Sequence, residues 1–189
     1  MALIDIYNNK APDRTAGIRQ VVDILPNLNT TTCLDLFAGD GSFCSFLLAE
    51  SVNKMICVAY NDKDAAKIKK SIPSASILVT DALNSTNLLH PVDMVFCDNP
   101  QGILPNGTCE YFEYLERVIP LIKNNGYLIH NVNIMPYNYD ENGSWAKRRN
   151  DFYQKVSCKS LNLSFVEQYH KNYIESKLSR EVKEITLIP

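Results

Sequence analysis

No apolar run in this chain approaches the roughly 20 residues that a membrane-spanning helix needs. The opening MALIDIYNNKAPDR also lacks the basic-then-apolar order of a secretory leader. Neither a membrane span nor export is expected, and the cytoplasm is the expected compartment. CxxC pairs are missing as well. The six cysteines, Cys33, Cys44, Cys57, Cys97, Cys109 and Cys158, are scattered without a matching histidine spacing, so neither a disulfide framework nor a structural zinc site is expected. Cys33, Cys57 and Cys97 fall in apolar runs and read as small core hydrophobes. Internal repeats, low-complexity tracts and linkers are lacking, which leaves a single domain over residues 1–189.

What is present suits one folded core. At 46% apolar and 21% charged residues the composition is globular, and a chain of 189 residues can bury about two-thirds of its unfolded surface. The net charge of −2 hides an asymmetry: residues 1–144 carry 10 Lys and Arg against 16 Asp and Glu, whereas residues 145–189 carry 9 against 5. The densest basic point, Lys147-Arg148-Arg149, suits phosphate contact or a solvated helix face.

Strand and helix patterns alternate along the chain. DRTAGIRQVVDIL has Ile18, Val21, Val22 and Leu25 at helical spacing and stops at Pro26. TTCLDLFA reads as a strand entering the turn Gly39-Asp40-Gly41, after which Ser42 can cap a helix with Phe43, Phe46 and Leu47 on its apolar face. KMICVAYN is a strand, DAAKIKKSI a helix, and ASILVTDA and DMVFCD two further strands. CEYFEYLERVIPLIKNN reads as a long helix closed by a left-handed Gly126, and GYLIHNVNI as the fifth strand. WAKRRNDFYQKV can form another helix, and LSFVEQYH and VKEITLIP two terminal strands. The expected fold is a doubly wound, mostly parallel α/β sheet, Rossmann-like, with helices on both faces and an antiparallel strand near the C-terminus.

In such a sheet, ligands bind at the carboxyl ends of the strands where the winding reverses. Those ends read Asp35-Leu36-Phe37-Ala38-Gly39-Asp40-Gly41, Asn61-Asp62, Asp81-Ala82 and Asp98-Asn99-Pro100-Gln101. The glycines let backbone approach a ligand. A carboxylate about 20 residues further on, at Asp62, can accept both hydroxyls of a ribose, and Asp81 can accept from an adenine amino group. The ligand is thus expected to be an adenosine derivative. Cys44 stands where a dinucleotide fingerprint has its third glycine, and crowded acids repel a pyrophosphate but attract a sulfonium and an ammonium group.

DLFAGDGSF resembles the first motif of class I S-adenosylmethionine-dependent methyltransferases, AYNDKDAAKIKKSI their acidic second motif, and VTDAL and VDMVFCDNP their third and fourth. The likeness covers residues 14–133. It implies S-adenosyl-L-methionine as cofactor, with Gly39 and Gly41 on its methionine side, Asp62 at the ribose and Asp81 at the adenine. Asp35, Phe37 and Ala82 complete the implied cofactor-binding set. Two local readings stand beside this one: Asp35 can tie down the turn through backbone amides, and Asp62 can cap a helix. Asp93 reads as a turn residue. His90, His130 and His170 are isolated and read as surface or core residues rather than catalysts.

Asp98-Asn99-Pro100-Gln101 resembles the DPPY or NPPY motif of enzymes that methylate exocyclic amines of nucleic-acid bases, and Phe43 and Arg14-Thr15-Ala16-Gly17 also look like that family. The likeness implies a catalytic segment in which Asp98 and Asn99 accept the amine's hydrogens. Asn99 replaces the first proline and Gln101 the aromatic, which removes a stacking platform worth about 1–3 kcal/mol. Tyr111, Tyr137 or Tyr139 can supply a ring or simply pack. Methyl transfer to nitrogen gains most from positioning the reactants, so no Ser/His/Asp arrangement is required.

The implied function is methyl transfer to an exocyclic base nitrogen in RNA or DNA, with Lys147, Arg148 and Arg149 meeting the substrate and no metal involved. The alternatives are a methyltransferase of a small molecule or protein, favoured by the missing aromatic, and a catalytically silent cofactor-binding protein.

Overall fold

A computed structural model describes residues 3–7, 16–41, 44–82, 90–97, 114–131 and 183–188. Its strands are β1 (Leu3–Tyr7), β2 (Thr32–Asp35), β3 (Lys54–Ala59), β4 (Ser76–Val79), β5 (Val92–Cys97), β6 (Ile122–Asn131) and β7 (Lys183–Ile188). The helices are α1 (Ala16–Ile24), α2 (Ser45–Ser51), α3 (Asp62–Ser71) and α4 (Leu115–Val118), the last running into a 3-10 turn at Ile119–Leu121.

The strands form one sheet of seven, ordered β1-β7-β6-β5-β2-β3-β4. Every pairing among the described residues is parallel. The expected antiparallel C-terminal strand is therefore corrected: β7 lies parallel between β6 and β1, with Tyr127 opposite Lys183 and Leu3 opposite Glu184. Parallel neighbours need a crossover connection rather than a hairpin, and residues 132–182 separate the two strands.

Alternation within the strands divides the core. On one face, Cys33, Met55, Cys57, Met94, Phe96 and Ile129 pack under Ile18 and Val21 of α1, Leu48 of α2 and Ile68 of α3. On the other, Leu34, Val58, Val95, Cys97 and Leu128 pack against Tyr114, Leu115, Val118, Ile119 and Leu121. Two-sided burial explains why these strands are near-continuous apolar runs. Cys33, Cys57 and Cys97 are fully buried, as their apolar context implied. No helix among the described residues is long and apolar enough to cross a membrane.

Four local readings change. LIDIY, unassigned from the sequence, forms the edge strand β1. The long helix expected over 109–125 is a single helical turn, Leu115–Val118, within the described residues. Pro120 lies in the 3-10 turn and β6 begins at Ile122, because proline removes a helical hydrogen-bond donor and crowds the preceding turn. The left-handed residue is then Asn125, with φ 62°, not Gly126. Gly126 serves close packing instead, since a Cβ there would lie 2.7 Å from Asp93 O. Asp93, read as a turn residue, lies within β5. Its carboxylate accepts from Thr32 N–H at 2.9 Å and from Lys123 Nζ at 2.8 Å, tying the starts of β2 and β6 to β5.

Candidate functional site

The chain winds from β2 outward through β3 to β4, then returns to β5 on the other side of β2 and continues to β6. The winding reverses between β2 and β5. Asp35 at the end of β2 is level with Cys57 of β3 and Phe96 of β5. Leu36 N–H continues the ladder to Phe96 O at 3.0 Å, and Thr80 N–H continues it from β4 to Ala59 O at 2.8 Å. Parallel pairing thus brings the ends of β2, β3, β4 and β5 to one edge of the sheet, where open α/β sheets hold ligands.

The turn after β2 is the best-defined part of this edge. Gly41 N–H donates to Ala38 O at 2.8 Å, and Gly39 and Gly41 have φ values of 57° and 75°, a region that other residues enter only with strain. A Cβ on Gly39 would meet nothing within 4 Å, so conformation rather than crowding selects glycine there. Gly41 is the buried end of the turn, against Ile68 of α3 and Ile72, which caps that helix.

Asp35 organises this turn from below. Its carboxylate is 0% exposed, with Oδ1 accepting from Phe37 N–H at 3.1 Å and Oδ2 from Ser45 O–H at 2.5 Å. A carboxylate is retained in such surroundings only where donors replace its water. Burial first, and then the Asp35 charge, push the Cys33 and Cys57 thiols well above the ordinary thiol range, so both stay neutral. The turn-tying reading of Asp35 is what these hydrogen bonds depict. Phe37 is half-buried and, with Ala82, packs against the core face that holds Leu34, Tyr114 and Leu115.

Asp62 opens α3 without capping it. The cap is Asn61, whose side chain accepts from Asp64 N–H at 2.9 Å while donating to Asp64 Oδ2 at 2.9 Å. The first bond is an ordinary N-cap, and the second ties the two side chains together. The Asp62 side chain is exposed at the first helical position and free of the cap's hydrogen bonds. Asp81 is exposed two residues beyond the end of β4, and Ala82 beside it is half-buried.

Of the residues singled out from the sequence, Asp35, Phe37, Gly39, Gly41, Asp62, Asp81 and Ala82 therefore share one edge, around three adjacent strand ends. Asp98, Asn99, Pro100 and Gln101, which follow Cys97 directly, lie outside the described residues, as do Lys147, Arg148 and Arg149. Ser42 does too, and Cys44 holds the N-cap position of α2 without a side-chain cap bond. Two residues at or near this edge were given no role of their own. Ser45 carried no signal in the sequence, because a serine opening a helix reads as an ordinary terminus. Asn61 did carry one, in the spacing Asn61-x-x-Asp64.

No protein-family model matches the chain, and no curated protein does. Among solved structures it is similar in fold to a chain of the fibrillarin/Nop5p complex, with TM-score 0.50 at 17% identity over 75% of this chain and 66% of that one. The fold they share is the doubly wound, Rossmann-like α/β class. Two further neighbours have a TM-score of 0.47: phosphoethanolamine N-methyltransferase 1 of Haemonchus contortus, solved with phosphoethanolamine and S-adenosylhomocysteine, at 23% identity, and TrmN from Thermus thermophilus, at 17%. They match 61% and 59% of this chain, which spans only 25% and 35% of theirs.

Proposed function

We propose that the chain is an S-adenosylmethionine-dependent methyltransferase acting on an exocyclic base nitrogen in RNA or DNA. One observation carries the cofactor half: a glycine turn with two positive φ values stands at the winding reversal, beside the exposed acids Asp62 and Asp81. The donor chemistry fits the group. Open space over Gly39 admits a close ligand. Asp62 accepts from ribose hydroxyls, Asp81 accepts from the adenine amino group, and the acidic edge attracts a cationic ligand. Asp35 and Phe37 support this site by holding the turn's shape.

When bound, S-adenosylmethionine supplies an electrophilic methyl group on its sulfonium sulfur. The chain's own part is to orient the acceptor. Asp98 and Asn99, directly after β5, accept the amine's hydrogens and aim its nitrogen lone pair, while Pro100 and Gln101 complete the segment. Alignment supplies most of the rate gain in such a displacement, and the amine's proton leaves to solvent. Lys147, Arg148 and Arg149 neutralise substrate phosphates.

Calorimetry with S-adenosylmethionine and S-adenosylhomocysteine tests the cofactor half: micromolar binding is expected, and no heat from either would reject it. A nucleoside digest read by mass, comparing cells with and without the gene, tests the substrate half. A methylated base lost with the gene is expected. An unchanged digest from a protein that does bind the cofactor would instead favour the small-molecule or protein substrate suggested by Gln101.

A further inference from the structure

Asp35, Ser45 and His130 are the polar side chains that the core buries among the described residues. Two of them are joined. Ser45 is the first residue of α2, 1% exposed, on a helix anchored by the fully buried Leu48. The helix therefore fixes its Cα and Cβ, and the bond to Asp35 fixes the hydroxyl. That hydroxyl donates to Asp35 Oδ2 at 2.5 Å, the short distance of a charge-assisted bond. Because a carboxylate is planar, holding Oδ2 also holds Oδ1, which receives Phe37 N–H at 3.1 Å. Phe37 in turn leads into the residues with positive φ, Gly39 and Gly41. An alanine at position 45 would fill almost the same volume, so packing alone does not account for the hydroxyl.

We propose that Ser45 is a positioning residue for the adenosyl-ligand site, acting through Asp35 to hold the 36–41 turn in its ligand-receiving shape; this rests on the methyltransferase reading. Ser45 lies under the turn and touches no ligand. Without that hydroxyl Asp35 Oδ2 loses a buried donor, the acceptor for Phe37 N–H is held less tightly, and the turn samples shapes that a ligand must first reorder. That ordering cost appears as weaker binding.

Two measurements on the full chain test this. Hydrogen exchange at the Phe37 amide, followed by NMR without ligand, is expected to quicken at least about tenfold in Ser45→Ala and to stay near wild type in Ser45→Thr, which keeps the hydroxyl. Calorimetry with S-adenosylhomocysteine is expected to show about a tenfold weaker Kd in Ser45→Ala and near-normal affinity in Ser45→Thr. Unchanged Phe37 exchange in Ser45→Ala, or alanine and threonine variants that behave alike, would overturn the inference. If the wild-type protein binds no S-adenosylhomocysteine, the methyltransferase reading and the ligand half of the inference both fail. The exchange result still decides whether Ser45 holds the turn.

Discussion

The rings of Phe37 and Tyr114 meet edge to face, with centroids 6.4 Å apart and planes at 89°. Phe37 belongs to the turn after β2, whereas Tyr114 is fully buried where the chain enters α4. The contact joins the candidate ligand edge to the core face that holds Leu34 and Leu115. Tyr114→Ala should therefore cost about 3–5 kcal/mol, the range for a buried aromatic truncated to alanine. Phe37→Leu, at a half-buried position, should cost about 1 kcal/mol, mostly the edge-to-face term. Urea titrations of both variants measure the difference, and equal losses would contradict the burial assigned to the two rings.

Asn61 and Asp62 are neighbours with separable tasks. Asn61→Ala should lower stability by about 0.5–2 kcal/mol, because it removes the cap of α3, and leave cofactor affinity near wild type. Asp62→Ala should leave the melting temperature nearly unchanged and weaken cofactor binding by about 10- to 100-fold, the value of charge-assisted bonds to a ribose. Paired thermal melts and calorimetry would read both effects. An Asp62 variant that melts early but binds normally would reverse the assignment.

Asp93 gives the fold a pH dependence whose sign is set. Burial alone would raise its pKa, but the hydrogen bonds from Lys123 and Thr32 N–H and the Lys123 charge outweigh it and hold the carboxyl below the ordinary aspartate range. A depressed folded-state pKa stabilises above the unfolded value and is lost as pH falls through the folded value. The pair is solvent-accessible, with side chains 52% and 36% exposed, so its contribution is at most about 1 kcal/mol. Lys123→Met should thus lower the melting temperature at neutral pH, and the gap from wild type should close below about pH 4. A gap that persists at low pH would mean that the lysine stem, not the ion pair, matters.

Asn99→Ala should lower turnover at least about tenfold with little loss of cofactor binding, since each 1.4 kcal/mol of transition-state stabilisation is a factor of ten. Replacing Lys147, Arg148 and Arg149 by Gln should instead weaken binding of a nucleic-acid substrate and flatten its salt dependence, with turnover at saturation retained. A salt series on both variants separates the roles. Full activity in Asn99→Ala would remove the orienting role, and binding indifferent to salt would remove the nucleic-acid substrate.

The residues at the strand ends were legible because their signals are local. Asp35 to Gly41, Asp62 and Asp81 each follow an apolar run, and a parallel sheet carries every such terminus to one edge. The helix expected over 109–125 misled for a local reason too: Leu115, Val118 and Ile119 fit helical spacing, yet Pro120 ends that pattern and Ile122 enters β6. The strand order was not legible. β7 pairs with β1, its partner from the opposite end of the chain, and no spacing within either segment encodes that meeting. The Ser45–Asp35 bond was hidden for the same reason, since a hydroxyl becomes a buried donor only once α2 packs down on β2.

By itself the sequence determined the alternation of strands and helices, the two-sided burial of the strands and the acids at their ends, because periodicity and turn chemistry act over a few residues. Tertiary structure decided which strands are neighbours, that β7 runs parallel, that Asp35 is buried while Asp62 stays in water, and that Gly126 is needed for closeness rather than for a left-handed turn. These follow from contacts between distant segments, where packing and the loss of water outweigh local preference.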